Sequence, residues 1–319
     1  MKPALITTVM ILSIRNMNAD DLPLGMRLKR QAGWNQTQGD WRRFLSLEPT
    51  GCFVATVDGR PVGTTTTCIF PAATDTRTAG DTAGASGRRG KVAWVAMVLV
   101  DQAARGRGVG SALLRHAIDH LDARGVRSIR LDATPAGRPL YEKLGFVFQF
   151  ELVRYGGIVT PPEGLAKRTA GDAAPVVRVQ QATQSDWDAI IQLDAQVVGV
   201  DRGKLLRALF EAHPDALRTA RDGDKLLGYI TDRPGDNAHM LGPSVALTTA
   251  AGDALLLDAF ARHAGKKVYI DLPVATDPAT ELAELIGLTI ERPLYRMTRG
   301  QPVCEQVQHL WASSGPEMG

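Results

Sequence analysis

Gly106, Gly108 and Gly110, interleaved with Arg105 and Arg107, form the stretch of this chain best suited to chemistry. Glycine admits positive φ and lets a ligand approach the main chain without meeting a Cβ. With Val109 and Ser111 the run presents successive N–H groups, and the two guanidiniums add positive charge beside them. If a helix begins at this turn, its unpaired N–H groups and the positive end of its dipole favour an anion. The ligand this pattern suits is a pyrophosphate.

The flanking residues supply that helix and a strand to precede it. Trp94–Val100 is apolar, rich in β-branched residues, and reads as a strand. Ser111–Arg124 carries Ala112, Leu113, Ala117, Ile118 and Leu121 at helical spacing, and Ser128–Ala133 reads as a second strand. Asp132 then lies about twenty residues beyond the glycines, where a dinucleotide site places its ribose-binding acid. Two details disfavour that cofactor. Asp101–Arg105 separate the strand from the first glycine, and Ser111 occupies the third glycine or alanine position of the dinucleotide fingerprint. An NAD-binding oxidoreductase is therefore the minor enzymatic reading.

Arg105-Gly-Arg-Gly108-Val-Gly110 resembles motif A of the GNAT superfamily, the acetyl-CoA-dependent N-acyltransferases. Downstream, Thr134 to Phe146, with Tyr141-Glu-Lys-Leu-Gly-Phe146 at its end, is similar to the family's motif B. Upstream, Gly51 to Thr64 resembles the hairpin that precedes motif A. The three signals follow in order within residues 11–155.

This resemblance implies a mechanism for residues at matching positions. The amides of Gly106–Gly110, with Arg105, Arg107 and Ser111, would bind the pyrophosphate of acetyl-CoA. Main-chain groups of Val98, Leu99 and Val100 would meet the pantetheine arm and the thioester carbonyl. Tyr141 would be the general acid, its phenol having a reference pKa of about 10 against about 8.5 for a thiol. The strand Ala93–Val100 lacks the glutamate many members carry there, which leaves Asp101, Asp132, Glu48 or a water chain as base. No metal and no covalent nucleophile is implied. Trp34, Asn35, Gln36 and Trp41 are candidates for the acceptor site, with stapling of a helical hairpin as the competing role for the tryptophans. Asp201, Arg202, Arg233 and Asp271 are further acceptor-facing candidates, and His116 and His120 are expected to face solvent.

The chain has 319 residues, a net charge of +3 and 44% hydrophobic residues, which suits two domains with sizeable cores. No extended basic face of the nucleic-acid kind is visible, and no segment is long enough to span a membrane. Cys52, Cys68 and Cys304 are scattered and odd in number, as expected of free thiols in a cytoplasmic protein. The apolar opening Lys2–Ile14 lacks a small-residue cleavage site and runs into a first strand, Ile11–Arg15.

The second half repeats the first. Ile11–Asp21 aligns with Val176–Asp186, Asp58-Gly59 with Asp222-Gly223, and Gly110–Leu114 with Gly252–Leu256. Ser128–Asp132 aligns with Lys267–Asp271, and Gly145, Leu152 and Arg154 align with Gly287, Leu294 and Arg296. The second copy keeps one glycine of the turn and neither arginine, and Ala283 stands at the place of Tyr141. It reads as a degenerate copy with structural or acceptor-binding duties.

The expected fold is α+β, with tandem GNAT-like domains, each a mixed, mostly antiparallel sheet flanked by helices. Residues 1–158 form the catalytic domain, 159–175 a linker, 176–300 the degenerate domain and 301–319 a C-terminal tail. Thr74–Gly90, small and polar, is expected to loop between two strands. The expected activity is acetyl transfer from acetyl-CoA to a primary amine of a small molecule or amino acid, by a monomer or homodimer. A non-catalytic acyl-CoA sensor is the alternative from another class.

Overall fold

The structure is a computed structural model and describes residues 10–73, 90–160 and 177–319. The loop expected at Thr74–Gly90 and the linker expected at 159–175 fall almost wholly outside the described residues. The chain divides into two compact units, Met1–Cys68 with Met97–His120, and Ile69–Ala96 with Leu121–Gly319.

In the first unit, β1 (Leu12–Asn16) pairs antiparallel with β2 (Cys52–Val57), which pairs antiparallel with β3 (Arg60–Pro71). Asp58 and Gly59 make the β2–β3 turn with φ of 50° and 77°, the two positive values a tight hairpin requires. Between β1 and β2 lie α1 (Leu22–Gln31) and α2 (Gln38–Leu47). A reciprocal capping box between Thr37 and Asp40 starts α2. The α3 helix (Val109–Asp122) buries Val109, Leu113 and Ala117 against Phe53, Ala55 and Val57. Gly63 permits that packing, since a Cβ there would lie 3.0 Å from a Leu113 methyl and 3.1 Å from the Leu99 carbonyl oxygen.

In the second unit, the first residues of β4 (Lys91–Val100) pair in parallel with β5 (Val126–Ala133), from Lys91↔Val126 to Trp94↔Arg130. Next come α4 (Arg138–Lys143), β6 (Val147–Ile158), β7 (Arg178–Gln181), α5 (Trp187–Val198) and α6 (Gly203–Ala212). They are followed by β8 (Arg218–Asp222), β9 (Lys225–Arg233), β10 (His239–Ala246), α7 (Thr249–Arg262) and β11 (Lys267–Pro273). The last elements are α8 (Asp277–Leu285), β12 (Thr289–Gly300) and β13 (Leu310–Ala312). The series β1 to β6, with α1 to α4, thus recurs as β7 to β12 with α5 to α8, as the repeat requires.

Strand order in this unit departs from a simple tandem. β12 lies between β5 and β6, and β6 lies between β12 and β11. Each repeat therefore gives its last strand to the other. The β6–β12 ladder pairs Leu152 with Leu294, two residues at equivalent places in the repeats, so the exchange has a local two-fold centre there. The core of the second repeat packs Leu255, Leu256, Ala259 and Phe260 of α7 against Ile230, Val268 and Ile270.

Candidate active site

The glycine turn has the conformation its composition implies. Gly106 and Gly108 adopt φ of +74° and +82°, and a Cβ on either would meet nothing within 4 Å. Both therefore combine left-handed backbone with open space, which is what close approach of a ligand needs. The first helical hydrogen bond of α3 runs from Ala112 N–H to the Gly108 carbonyl at 3.0 Å. The N–H groups of Val109, Gly110 and Ser111 precede it and have no intrahelical acceptor. The Arg105 Nε donates to the Val100 carbonyl at 3.1 Å, which fixes the start of the turn against the end of β4. Arg107 is exposed beside it. The donors, the open glycines and the positive charge fit a pyrophosphate.

The β4 strand prepares its own main chain. Its parallel ladder with β5 ends at Trp94↔Arg130. Met97 then takes φ of 50°, an uncommon value for a residue with a side chain, and is buried. Thr64 Oγ1 donates to the Met97 carbonyl at 2.9 Å and holds this kink. Val98, Leu99 and Val100 follow directly. No sequence signal marked the kink, because methionine has no preference for left-handed backbone.

Tyr141 lies on α4, a short helix of six residues with a proline in its first turn. Its ring meets Phe146 edge-on at 5.8 Å and closes over Gly137, where a Cβ would lie 3.0 Å from the ring. Burial pushes the phenol up to about 12. The hydroxyl makes no hydrogen bond among the described residues.

The carboxylates expected as bases have other partners. The side chain of Asp132 is wholly buried, and Arg296 donates to its two oxygens at 2.6 and 3.0 Å. Burial pushes this carboxyl up, against the opposing pull of Arg296. Each of its oxygens thus accepts from Arg296. Asp101 caps the turn Gln102–Ala104, accepting from Ala103 N–H at 3.1 Å, and pairs with Arg27. The Arg27 hydrogen bond holds its carboxyl below the usual range, which makes it a weak base. Glu48 is half-buried at the end of α2, its side chain against Gly51.

The acceptor candidates separate into two groups. Trp41 is 0% exposed, and its indole lies where a Cβ on Gly25 would come within 2.8 Å. It staples α2 to α1 and cannot wall an open site. Trp34, Asn35 and Gln36 form the loop between these helices; the amides are buried and Trp34 is half-buried. Lys29, itself buried, donates to the Trp34 carbonyl at 3.4 Å. His116 and His120, expected to face solvent, pack edge-on over Phe53 with ring centroids at 4.6 and 5.0 Å. Arg202 is taken up by Asp194, Arg233 by Glu317 and Asp271 by Arg154, each pair buried. Asp201 accepts from Gly203 N–H at the start of α6.

In the second repeat the corresponding place is filled by the chain itself. A Cβ on Gly252, the counterpart of Gly110, would fall 2.0 Å from the Trp311 indole. Thr248 caps α7 by accepting from Ala251 N–H at 3.2 Å. β13 pairs antiparallel with β10, and Ser313 N–H donates to the Asp271 carbonyl at 2.9 Å. The tail expected at 301–319 is therefore a buried wedge from Leu310 onward. It continues past Arg202, which donates to Ser314 at 2.8 Å, to Trp94, whose indole N–H donates to the Pro316 carbonyl at 3.1 Å. Nothing in the spacing of the tail residues signalled this role.

Comparison with known proteins agrees with the two-fold plan. The Acetyltransferase (GNAT) family matches residues 13–146, and a second Acetyltransferase (GNAT) domain matches residues 190–312. The chain belongs to the GNAT family and is a two-domain acyltransferase. It is 26% identical over 291 residues to holothin acyltransferase of Pseudoalteromonas sp. (strain SANK 73390), covering 90% of this chain and 87% of that one. Over 60 residues it is 42% identical to glucosamine 6-phosphate N-acetyltransferase 1 of Oryza sativa subsp. japonica, covering 19% of this chain and 36% of that one. A crystal structure of a putative acetyltransferase from Pyrococcus horikoshii shares the fold, with a TM-score of 0.74 and 22% identity over 97% of this chain and 96% of that one. No helix among the described residues is long and apolar enough to cross a membrane.

Proposed function

We propose that the protein transfers an acetyl group from acetyl-CoA to a primary amine of a small molecule, by direct attack of the amine, with Tyr141 as general acid. The observation that carries this reading is the contrast between the repeats. The turn at Gly106 and Gly108 is open and leads into unspent helix N–H groups, whereas the second copy is capped by Thr248 and covered by Trp311. One cofactor per chain follows. Acetyl-CoA, when bound, supplies the acetyl group as an activated thioester. Gly106, Arg107, Gly108, Val109, Gly110 and Ser111 hold its pyrophosphate, with Arg105 bracing the turn. Val98, Leu99 and Val100 offer main-chain groups to the arm and the carbonyl. The Tyr141 phenol, protonated throughout the neutral range, holds the proton that the departing sulfur needs. Asp132 has a structural duty in this scheme, and the amine loses its proton to water.

A small acceptor is favoured by relatives named for holothin and for glucosamine 6-phosphate rather than for a protein. The division of labour follows the repeats. Residues 1–158 carry the chemistry, while 176–300 and the tail complete the sheet and brace it.

Calorimetric titration with acetyl-CoA tests the reading, with NAD as control and amine-dependent release of CoA as the second readout. One acetyl-CoA per chain, lost in Gly108→Glu, with release of CoA on addition of amines, is the expected result. Binding with no turnover across a panel of amines leaves the sensor function instead. A preference for NAD removes the acyltransferase assignment for this turn.

A further inference from the structure

Asp232, at the end of β9, His239, at the start of β10, and His263, just after α7, bring one carboxylate and two imidazoles together in the second repeat. One donor atom from each lies within 4.8 Å of the others. Asp232 and His263 are buried and His239 is half-buried. None of the three takes part in the acyl-transfer scheme above.

The hydrogen bonds around the cluster define which atoms are left for a ligand. His263 Nδ1 lies 2.8 Å from the Ala259 carbonyl oxygen. A carbonyl only accepts, so Nδ1 carries the hydrogen and Nε2 is the free donor atom of a neutral ring. That Nε2 faces Asp232 Oδ1 at 3.3 Å. Two lone pairs so placed repel unless a positive centre lies between them. In a tetrahedral zinc site with ligand bonds of about 2.0 Å, neighbouring donor atoms stand about 3.3 Å apart. The other carboxylate oxygen, Oδ2, accepts from Arg262 at 2.6 Å, which orients Oδ1 toward His263. His239 packs against His263 with ring centroids at 4.9 Å, and its buried Nδ1 has no hydrogen-bond partner. A backbone carbonyl behind one histidine and an arginine behind the carboxylate are the supports that metal ligands ordinarily have.

We propose that Asp232, His239 and His263 bind a divalent transition metal ion of the zinc type, with a fourth position left for water or an external donor. Two imidazoles and a carboxylate suit zinc, and exclude the all-oxygen preference of calcium and magnesium. The ion would tie β9, β10 and the C-terminal end of α7 together. Arg262 and Lys266 are the cations that face the cluster, and they keep its affinity below that of an all-anionic site.

The test is zinc chloride titrated into metal-stripped, full-length protein in competition with a chromophoric chelator, followed by cobalt substitution and visible spectroscopy. The expected result is one zinc per chain, at least tenfold weaker in both His239→Ala and His263→Gln, with tetrahedral cobalt bands lost in the same variants. His239→Ala, at a half-buried strand start, remains informative if His263→Gln fails to fold. No uptake, or uptake undiminished in His239→Ala, overturns the proposal and leaves a protonated His263 bridging to Asp232.

Discussion

Arg296 on β12 donates to both oxygens of Asp132 on β5, and its repeat counterpart Arg154 on β6 donates to both oxygens of Asp271 on β11 at 2.7 Å. The two ion pairs are equivalent under the internal repeat, and each spans it. Arg296 also meets Glu305, and its guanidinium lies 4.8 Å from the centre of the Trp94 ring. The exchanged strands are thus held by a symmetric pair of buried charges, placed where their registers bring arginine opposite aspartate.

Arg296→Ala should destabilise the fold by about 3–5 kcal/mol, because it strands a fully buried carboxylate. The double variant Asp132→Asn with Arg296→Met should recover much of that loss, since Glu305 keeps its pairing with Arg130 and no unpaired charge is left. Denaturant unfolding of the two proteins and the parent measures this. Equal loss in the single and double variants would show that packing, and not the charge, is what Arg296 contributes.

Tyr141→Phe should lower kcat by roughly 10²–10⁴-fold with little change in the Kd for acetyl-CoA. The acid form is lost only as pH rises through the phenol's value of about 12. The parent enzyme's kcat should therefore show no alkaline loss from this group below about pH 11. Steady-state rates against pH, compared with calorimetric affinity, separate the two effects.

Asp101→Asn should leave turnover at neutral pH within about threefold of the parent, for the carboxylate is a cap and an ion-pair partner. Its carboxyl is held below its ordinary value, so the stability it adds is present above that value and fades as pH falls through the lowered one. Acid unfolding of the variant should accordingly show less dependence on pH than that of the parent. A large fall in kcat at neutral pH would restore Asp101 as a base.

Trp41→Ala should cost about 3–5 kcal/mol by opening a cavity between α1 and α2. For protein that remains folded, KM for the amine should change little. A specific rise in that KM with stability preserved would move Trp41 into the acceptor site.

Trp311→Ala should loosen the second repeat without creating a second cofactor site, because the arginines and two of the glycines of the turn are missing there. Calorimetry should still give one acetyl-CoA per chain. A stoichiometry of two would mean that Trp311 alone keeps the second copy closed.

Local structure was legible where pattern and turn chemistry agreed. The expected strand Trp94–Val100 and helix Ser111–Arg124 correspond to β4 (Lys91–Val100) and α3 (Val109–Asp122). The repeat was legible too, down to the shared offsets of Arg154 and Arg296. The exchange of strands was not, and the reason is the repeat itself. With equivalent residues on β6 and β12, an arginine can meet the aspartate of its own copy or of the other equally well. Only the folded chain distinguishes them. The partner of Asp132 was hidden for a related reason, since the arginine opposite it is 164 positions away. The kink at Met97 is likewise imposed from outside the local sequence, by the Thr64 hydroxyl.

The exchange of β6 and β12 also sets the order in which this protein can be made. When the first repeat leaves the ribosome, β5 and β6 have emerged but the strand that belongs between them has not. Their facing edges wait through the synthesis of nearly the whole second repeat, exposed to the off-pathway pairing that open strand edges invite. By this crossing of strands, each half of the chain is finished by a strand from the other.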